Sequence, residues 1–153
     1  MLRGRGQERY IFADCAINPD PDKDVLAEIA IESAKTAKMF DIDPKVALLS
    51  FSTKGSAGGD QVDKVAQASE IVKEKDPDLA VDGELQFDEV FVFPELQSGN
   101  IGYKIAQRFG NFEAIGPVLQ GLNKPISDLS RGCSSEDVYN LSLVTATQAI
   151  AED

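Results

Sequence analysis

Ser134 and Asp137 stand three residues apart at the head of the last helical pattern of this 153-residue chain, directly after Ser130 and Arg131. A hydroxyl and a carboxylate at that spacing can each bond the other's backbone N–H and so start a helix, with Cys133 and Val138 placed to staple it. The same residues carry a second reading. An Arg beside a helix N-terminus is a favourable place for phosphate or another oxyanion, because guanidinium and unpaired N–H groups converge there. A carboxylate one turn into the helix can then act as a general base. The chain has no His, so proton transfer near neutral pH falls to a carboxylate, Lys, Tyr or Cys. A Ser-His-Asp triad is excluded. Spacing alone leaves the capping and catalytic readings both open.

Three further places bear on chemistry. Ser52-Thr53-Lys54-Gly55-Ser56 follows an apolar run, at the strand end where open α/β sheets bind ligands. Its hydroxyls, glycine and Lys suit a phosphate-rich ligand, but the GxxxxGK[ST] pattern of a nucleotide P-loop is missing. The segment reads equally as an ordinary connection. Gly99-Asn100-Ile101-Gly102-Tyr103-Lys104 either brings backbone N–H groups to a ligand or lets a helix start close against a strand; packing is the preferred reading. Cys15 lies inside an apolar run and reads as an inert buried thiol rather than a nucleophile.

The elements that must position these residues alternate. The pattern predicts strands over 10–17, 45–52, 79–85, 90–94 and 114–119. Helices are expected from Asp22 or Asp24 to about Phe40, from a cap at Asp60 with Asp63 completing a box, from Ser98 or Gly99 to Gly110, and over 134–150. The third helix is expected to turn Ile101, Ile105 and Phe109 inward. Alternating strand and helix implies a three-layer α/β fold, a mostly parallel sheet with helices on both faces. The whole chain, 1–153, is expected to form one such domain.

Composition narrows the function classes. The net charge is −11 and no basic face can be picked out, which argues against a nucleic-acid partner. No apolar run approaches the ~20 residues of a membrane helix. Cys15 and Cys133 are far apart, suggesting neither a disulfide framework nor a zinc site and fitting a reducing cytoplasm.

Six blocks, in order and in register over nearly the whole chain, resemble the phosphate acetyltransferase family: FADCAINP (12–19), LAEIAIESAKTAK (26–38), PKVALLSFSTKGS (44–56), DGELQFD (82–88), GNIGYK (99–104) and GPVLQGLNKPISDLSRGCSSED (116–137). The resemblance implies reversible acetyl transfer between coenzyme A and phosphate by direct thiolate attack, without a metal or a cofactor beyond CoA as substrate. It implies an isocitrate/isopropylmalate dehydrogenase-like fold and a homodimer. It assigns Asp137 as the base toward the CoA thiol, Arg131 as the phosphate-holding cation and Ser130 as a hydrogen-bond donor to the reacting group. Ser52, Thr53, Lys54, Ser56, Asn100, Lys124, Ser134 and Cys15 fall in the matching blocks as residues expected to line the CoA and phosphate site.

Two departures follow from the same comparison. The family's enzymes have two domains, and this chain matches the second, so the helix 134–150 is expected to lack the first domain on which it normally packs. After Asp88 the family continues through a helix before the next strand, whereas here Glu89 leads straight into Val90-Phe91-Val92. Neighbouring parallel strands need a crossover of about a dozen residues. Either the second strand is therefore displaced, or 79–94 forms one extended or hairpin-like element. A complementation-dependent fragment, a phosphate butyryltransferase relative and the C-terminal region of a malic enzyme are the alternative identities.

Overall fold

The computed structural model describes residues 1–3, 9–14, 17–50, 58–83, 90–110, 112–129 and 133–152. They form strands β1 (Leu2–Arg3), β2 (Arg9–Ala13), β3 (Lys45–Leu48), β4 (Ala80–Gly83), β5 (Val90–Val92) and β6 (Glu113–Ala114), and helices α1 (Lys23–Met39), α2 (Asp60–Lys75), α3 (Leu96–Phe109) and α4 (Ser135–Glu152). The sheet order is β4-β3-β5-β2-β1-β6. The four strands from β4 to β2 run parallel, while β1 lies antiparallel to both β2 and β6. The sheet is mostly parallel, as expected, with an antiparallel edge where the N-terminal segment supplies β1, which the sequence pattern did not reveal.

Alternation along the strands separates two faces. Ile11, Ala13, Val46, Leu48, Val90 and Val92 enter one core with α1 and α2. Tyr10, Phe12, Phe91 and Phe93 form an aromatic layer of edge-to-face and tilted pairs, and α3 packs against it. Helix α1 begins at Asp22, whose side chain accepts from the Val25 N–H, and presents Ala27, Ala30, Ala34 and Ala37 fully buried. Small side chains let this helix lie close to the sheet and to α2 at once.

Helix α2 buries Val62, Val65, Ser69 and Val72, which recur every three to four residues along one side. Its start differs: Gly59 is the N-cap and no side chain bonds there, so Asp60 and Asp63 sit in the first turn and act on the helix dipole rather than as a capping box. Helix α3 starts earlier than expected. Glu95 caps it, accepting from the Gln97 and Ser98 N–H groups at 2.7 and 2.8 Å.

The inward face of α3 also differs. Gly99 is its buried residue, and a Cβ on Gly102 would stand 2.9 Å from the Phe93 ring. The small residues therefore mark the side that approaches the aromatic layer, which leaves Ile101, Ile105 and Phe109 outward at 57%, 53% and 87% exposure. The expected strand over 114–119 shortens to Glu113–Ala114, and Gly116, at φ 145°, turns the chain just beyond it.

The join after Asp88 is resolved by strand order. Strands β4 and β5 lie on opposite sides of β3, with Gly83 level with Leu48 and Val90 level with Val46. The gap is roughly 12 Å, two strand spacings across and two residues back. Seven peptide units reach about 23 Å, enough to span it; residues 84–89 lie outside the described part. The second strand is displaced, and no hairpin forms.

Gly83 supplies a test of how tightly β4 seats on α2. A Cβ there would stand 2.8 Å from the Ser69 Cβ and 3.4 Å from the Val65 carbonyl oxygen, whereas one on Gly58 meets nothing within 4 Å. Urea denaturation should show Gly83→Ala destabilised by about 1 to 3 kcal/mol through overpacking, and Gly58→Ala close to unchanged.

Candidate functional site

Helix α4 opens as the Ser134/Asp137 spacing requires. The Ser134 backbone N–H and hydroxyl both donate to Asp137 Oδ2, at 2.7 and 2.8 Å, and the Asp137 N–H donates to Ser134 Oγ at 3.2 Å. The Val138 N–H donates to the Ser134 carbonyl at 3.2 Å, closing the first turn. The reciprocal box is complete. Cys133 and Val138 are both exposed, so the staple buries neither.

This geometry sets the electrostatics. The Ser134 N–H, and after it the Ser134 hydroxyl, hold the Asp137 carboxyl below the usual carboxylate range, with desolvation opposing them least of the three. Asp137 is therefore ionised at neutral pH. Its Oδ2 is engaged in the cap, and among the described residues Oδ1 accepts no hydrogen bond, so one oxygen faces outward. The cap thus occupies one oxygen of the carboxylate and leaves the other unbonded.

The other expected site residues divide. Ser130, Arg131, Cys15, Ser52, Thr53, Lys54 and Ser56 lie outside the described residues. Lys124 is exposed on the segment before α4, and Asn100 is half-buried near the start of α3. Asn100 lies on the wall of a cavity of about 600 Å³. That cavity is bounded by the end of β2, the side of α1, the start of α3, residues 114–122 and Val144 of α4.

Gln120 fixes one wall of the cavity. It donates from Nε2 to Thr36 Oγ1 at 2.7 Å and accepts from Ser33 Oγ at 3.3 Å, bridging successive turns of α1. Asp14, at the end of β2, forms part of the cavity wall and is 9% exposed. Sequence reasoning passed over Asp14 because it fell inside the strand expected over 10–17, whereas β2 ends at Ala13. Among the described residues there is no cluster of three or more His, Cys, Asp or Glu able to hold a metal ion. No helix there is long and apolar enough to cross a membrane.

Comparison with known proteins matches this arrangement to one family. The family model for phosphate acetyl/butaryl transferase matches residues 1–89 and 88–146. The phosphate acetyltransferase of Bacillus subtilis strain 168 is 61% identical over 171 residues, covering 98% of this chain and 53% of the relative. That of a Staphylococcus epidermidis strain is 56% identical, covering 95% and 52%. The crystal structure of a phosphotransacetylase from Streptococcus pyogenes superposes with a TM-score of 0.94 at 57% identity, covering 99% of this chain and 53% of that one. A branched-chain phosphotransacylase from Enterococcus faecalis shares the fold, with a TM-score of 0.75 at 23% identity, covering 97% and 62%.

The chain spans about half the length of the curated relatives it matches. The aligned length of 171 exceeds the chain's 153 residues, and the two family matches meet at 88–89. Relatives therefore carry additional residues, and the match divides at the direct join between β4 and β5.

The cap predicts a titration. Because the folded pKa of Asp137 is lowered, the cap's contribution to stability is complete above the ordinary value of 3.8 and is lost as pH falls through the folded value. Carboxyl-carbon NMR should show Ser134→Ala moving the Asp137 midpoint up toward the ordinary value. The shift should be partial, since the larger influence, the backbone N–H, remains.

Proposed function

The chain belongs to the phosphate acetyl/butaryl transferase family, and from that premise we propose that it forms one wall of an acyl-transfer site that moves acetyl between coenzyme A and phosphate. The observation that carries the reading is the head of α4. An ionised carboxylate with one free oxygen stands six residues after Arg131, where the dipole and N–H groups of the helix favour an anion.

In the direction from acetyl phosphate, the CoA sulfur attacks the acetyl carbonyl carbon. A C–S bond forms, the C–O bond to phosphorus breaks, and phosphate departs with its electron pair. Asp137 Oδ1 takes the thiol proton. A free thiol titrates near ~8.5, far above a carboxyl held below its usual range, so Asp137 works in step with C–S bond formation rather than storing a thiolate beforehand. Arg131 neutralises the phosphate and Ser130 donates to the reacting oxygen, which lowers the cost of charge developing there. Lys124, Asn100, Ser134, Cys15 and the segment carrying Ser52, Thr53, Lys54 and Ser56 complete the CoA- and phosphate-facing surface. The reaction needs no metal or further cofactor, and a reducing cytoplasm suits the free Cys133.

The chain aligns with half of each relative, so the facing wall comes from the other half, against which the apolar flank of α4 (Tyr139, Leu143 and Ile150, all exposed) is placed to pack. Thioester formation from acetyl phosphate and CoA tests this. Little turnover is expected from the chain alone, and turnover should appear when a separately made N-terminal half of the Bacillus subtilis relative is added. Asp137→Asn should then lower the rate at least about hundredfold, the usual worth of a positioned base. Activity indifferent to Asp137→Asn, or none in any combination, contradicts the assignment.

We also assign a homodimer contact to α3. Ile101, Ile105 and Phe109 repeat every four residues on its outer flank. A second copy of the chain is the occupant that covers this stripe. Sedimentation velocity should show a dimer that Ile105→Glu converts to monomer with an unchanged melting temperature; a wild-type monomer refutes the contact.

A further inference from the structure

Helix α4 is held unevenly along its length. Every residue from Cys133 to Tyr139 is exposed, and among the described residues the hydrogen bonds of this stretch stay within the helix and its cap. Leu141 and Val144 are buried, but apolar contact is non-directional and does not fix the direction of an axis. The directional contacts come at two levels. In the C-terminal half, Gln148 Nε2 donates to the Leu119 carbonyl at 3.2 Å, and Thr145 Oγ1 lies 2.7 Å from Ser127 Oγ. Nearer the head, Asn140 Nδ2 donates to Glu113 Oε1 at 3.3 Å.

Glu113 is suited to hold that end. It lies on β6 directly opposite Arg3 of β1, and its Oε2 accepts from the Arg3 guanidinium. One carboxylate oxygen is thus bound to the sheet edge while the other receives α4. Both members of the ion pair are partly exposed, and such pairs contribute little to stability. What the carboxylate supplies is direction.

The tie acts on a long lever. At 1.5 Å per residue, Asp137 stands about 16 Å along the axis from Gln148 and only about 4.5 Å from Asn140. A helix released at Asn140 and pivoting at the level of Gln148 therefore displaces Asp137 by about 1 Å for each ~4° of tilt. A misplacement of that size can lower a rate about hundredfold.

We propose that Glu113 is a positioning residue for acyl transfer: anchored by Arg3, it holds Asn140 and so aims the head of α4, with Asp137 on it, relative to the sheet edge. The assignment rests on the acyl-transfer reading and deepens it. Glu113 does not reach the reacting atoms. It acts through Asn140, one turn after the base.

A double-mutant cycle isolates the bond. Asn140→Ala keeps a good helix former in α4, and Glu113→Ala falls on an exposed edge strand, so both variants are expected to fold with little change in melting temperature. Residual dipolar couplings of the isotope-labelled chain report the direction of each N–H. Those of 135–140 should depart from wild type by several degrees of tilt in either variant, while those of β2, β3 and β5 stay unchanged. Turnover of acetyl phosphate and CoA is then measured with the N-terminal half of the Bacillus subtilis relative added. Each single variant should lose about tenfold to hundredfold in kcat with the KM for CoA retained. The double variant should lose no more than either single one, because both break the same bond. Unchanged 135–140 couplings overturn the proposal, as do unchanged kcat or losses that multiply in the double variant. Absence of turnover in every combination contradicts the acyl-transfer reading instead, and the couplings alone then decide whether Glu113 aims α4.

Discussion

The close seating of α1 between sheet and helix is the constraint on which the other parts depend. Ala27, Ala30, Ala34 and Ala37 have no solvent exposure beyond 1%, so the helix backbone approaches the Val46, Leu48, Val90 and Val92 face with little side chain between. Leucines in those places would hold the layers further apart, and cores tolerate such added volume poorly. From this fixed helix the site is hung. Ser33 and Thr36 hold Gln120, Gln120 holds the 114–122 segment, and that segment carries the chain toward α4. Gln148 of α4 returns a bond to the Leu119 carbonyl at 3.2 Å. The C-terminal half of α4 is thus tied to α1 through the 114–122 segment.

A second property follows from the order of the strands. Placing β3 between β4 and β5 lets two short strands be joined by six residues, because the chain has only to step across and slightly back. The sheet tolerates the absence of the residues that relatives carry at this point. The outer flank of α3 is exposed at Ile101, Ile105 and Phe109.

Much of this was legible in the sequence, for physical reasons that can be named. The α1 and α2 stripes were readable because a helix buried on one side repeats its apolar residues every three to four positions. The head of α4 was readable because a capping box is a local interaction between residues three apart. The face of α3 was misread because large apolar residues were taken as inward, when the close approach to Phe93 reserves that side for Gly99 and Gly102. Strand β1 was missed since two residues, Leu2 and Arg3, carry no period. Strand order, and hence the join after Asp88, is a long-range property with no local signature.

The central claim is that the head of α4 is an anion-binding and proton-accepting wall and not merely a well-made helix start. Titrating inorganic phosphate into the isotope-labelled chain at neutral pH, while following backbone amides by NMR, addresses it directly. The account predicts saturable shifts centred on the amides of Ser134, Ser135, Glu136 and Asp137, abolished by Arg131→Ala without loss of the helix. Amides at this turn that stay unmoved up to high phosphate, or that respond identically in the Arg131 variant, would show that the box serves only to cap α4.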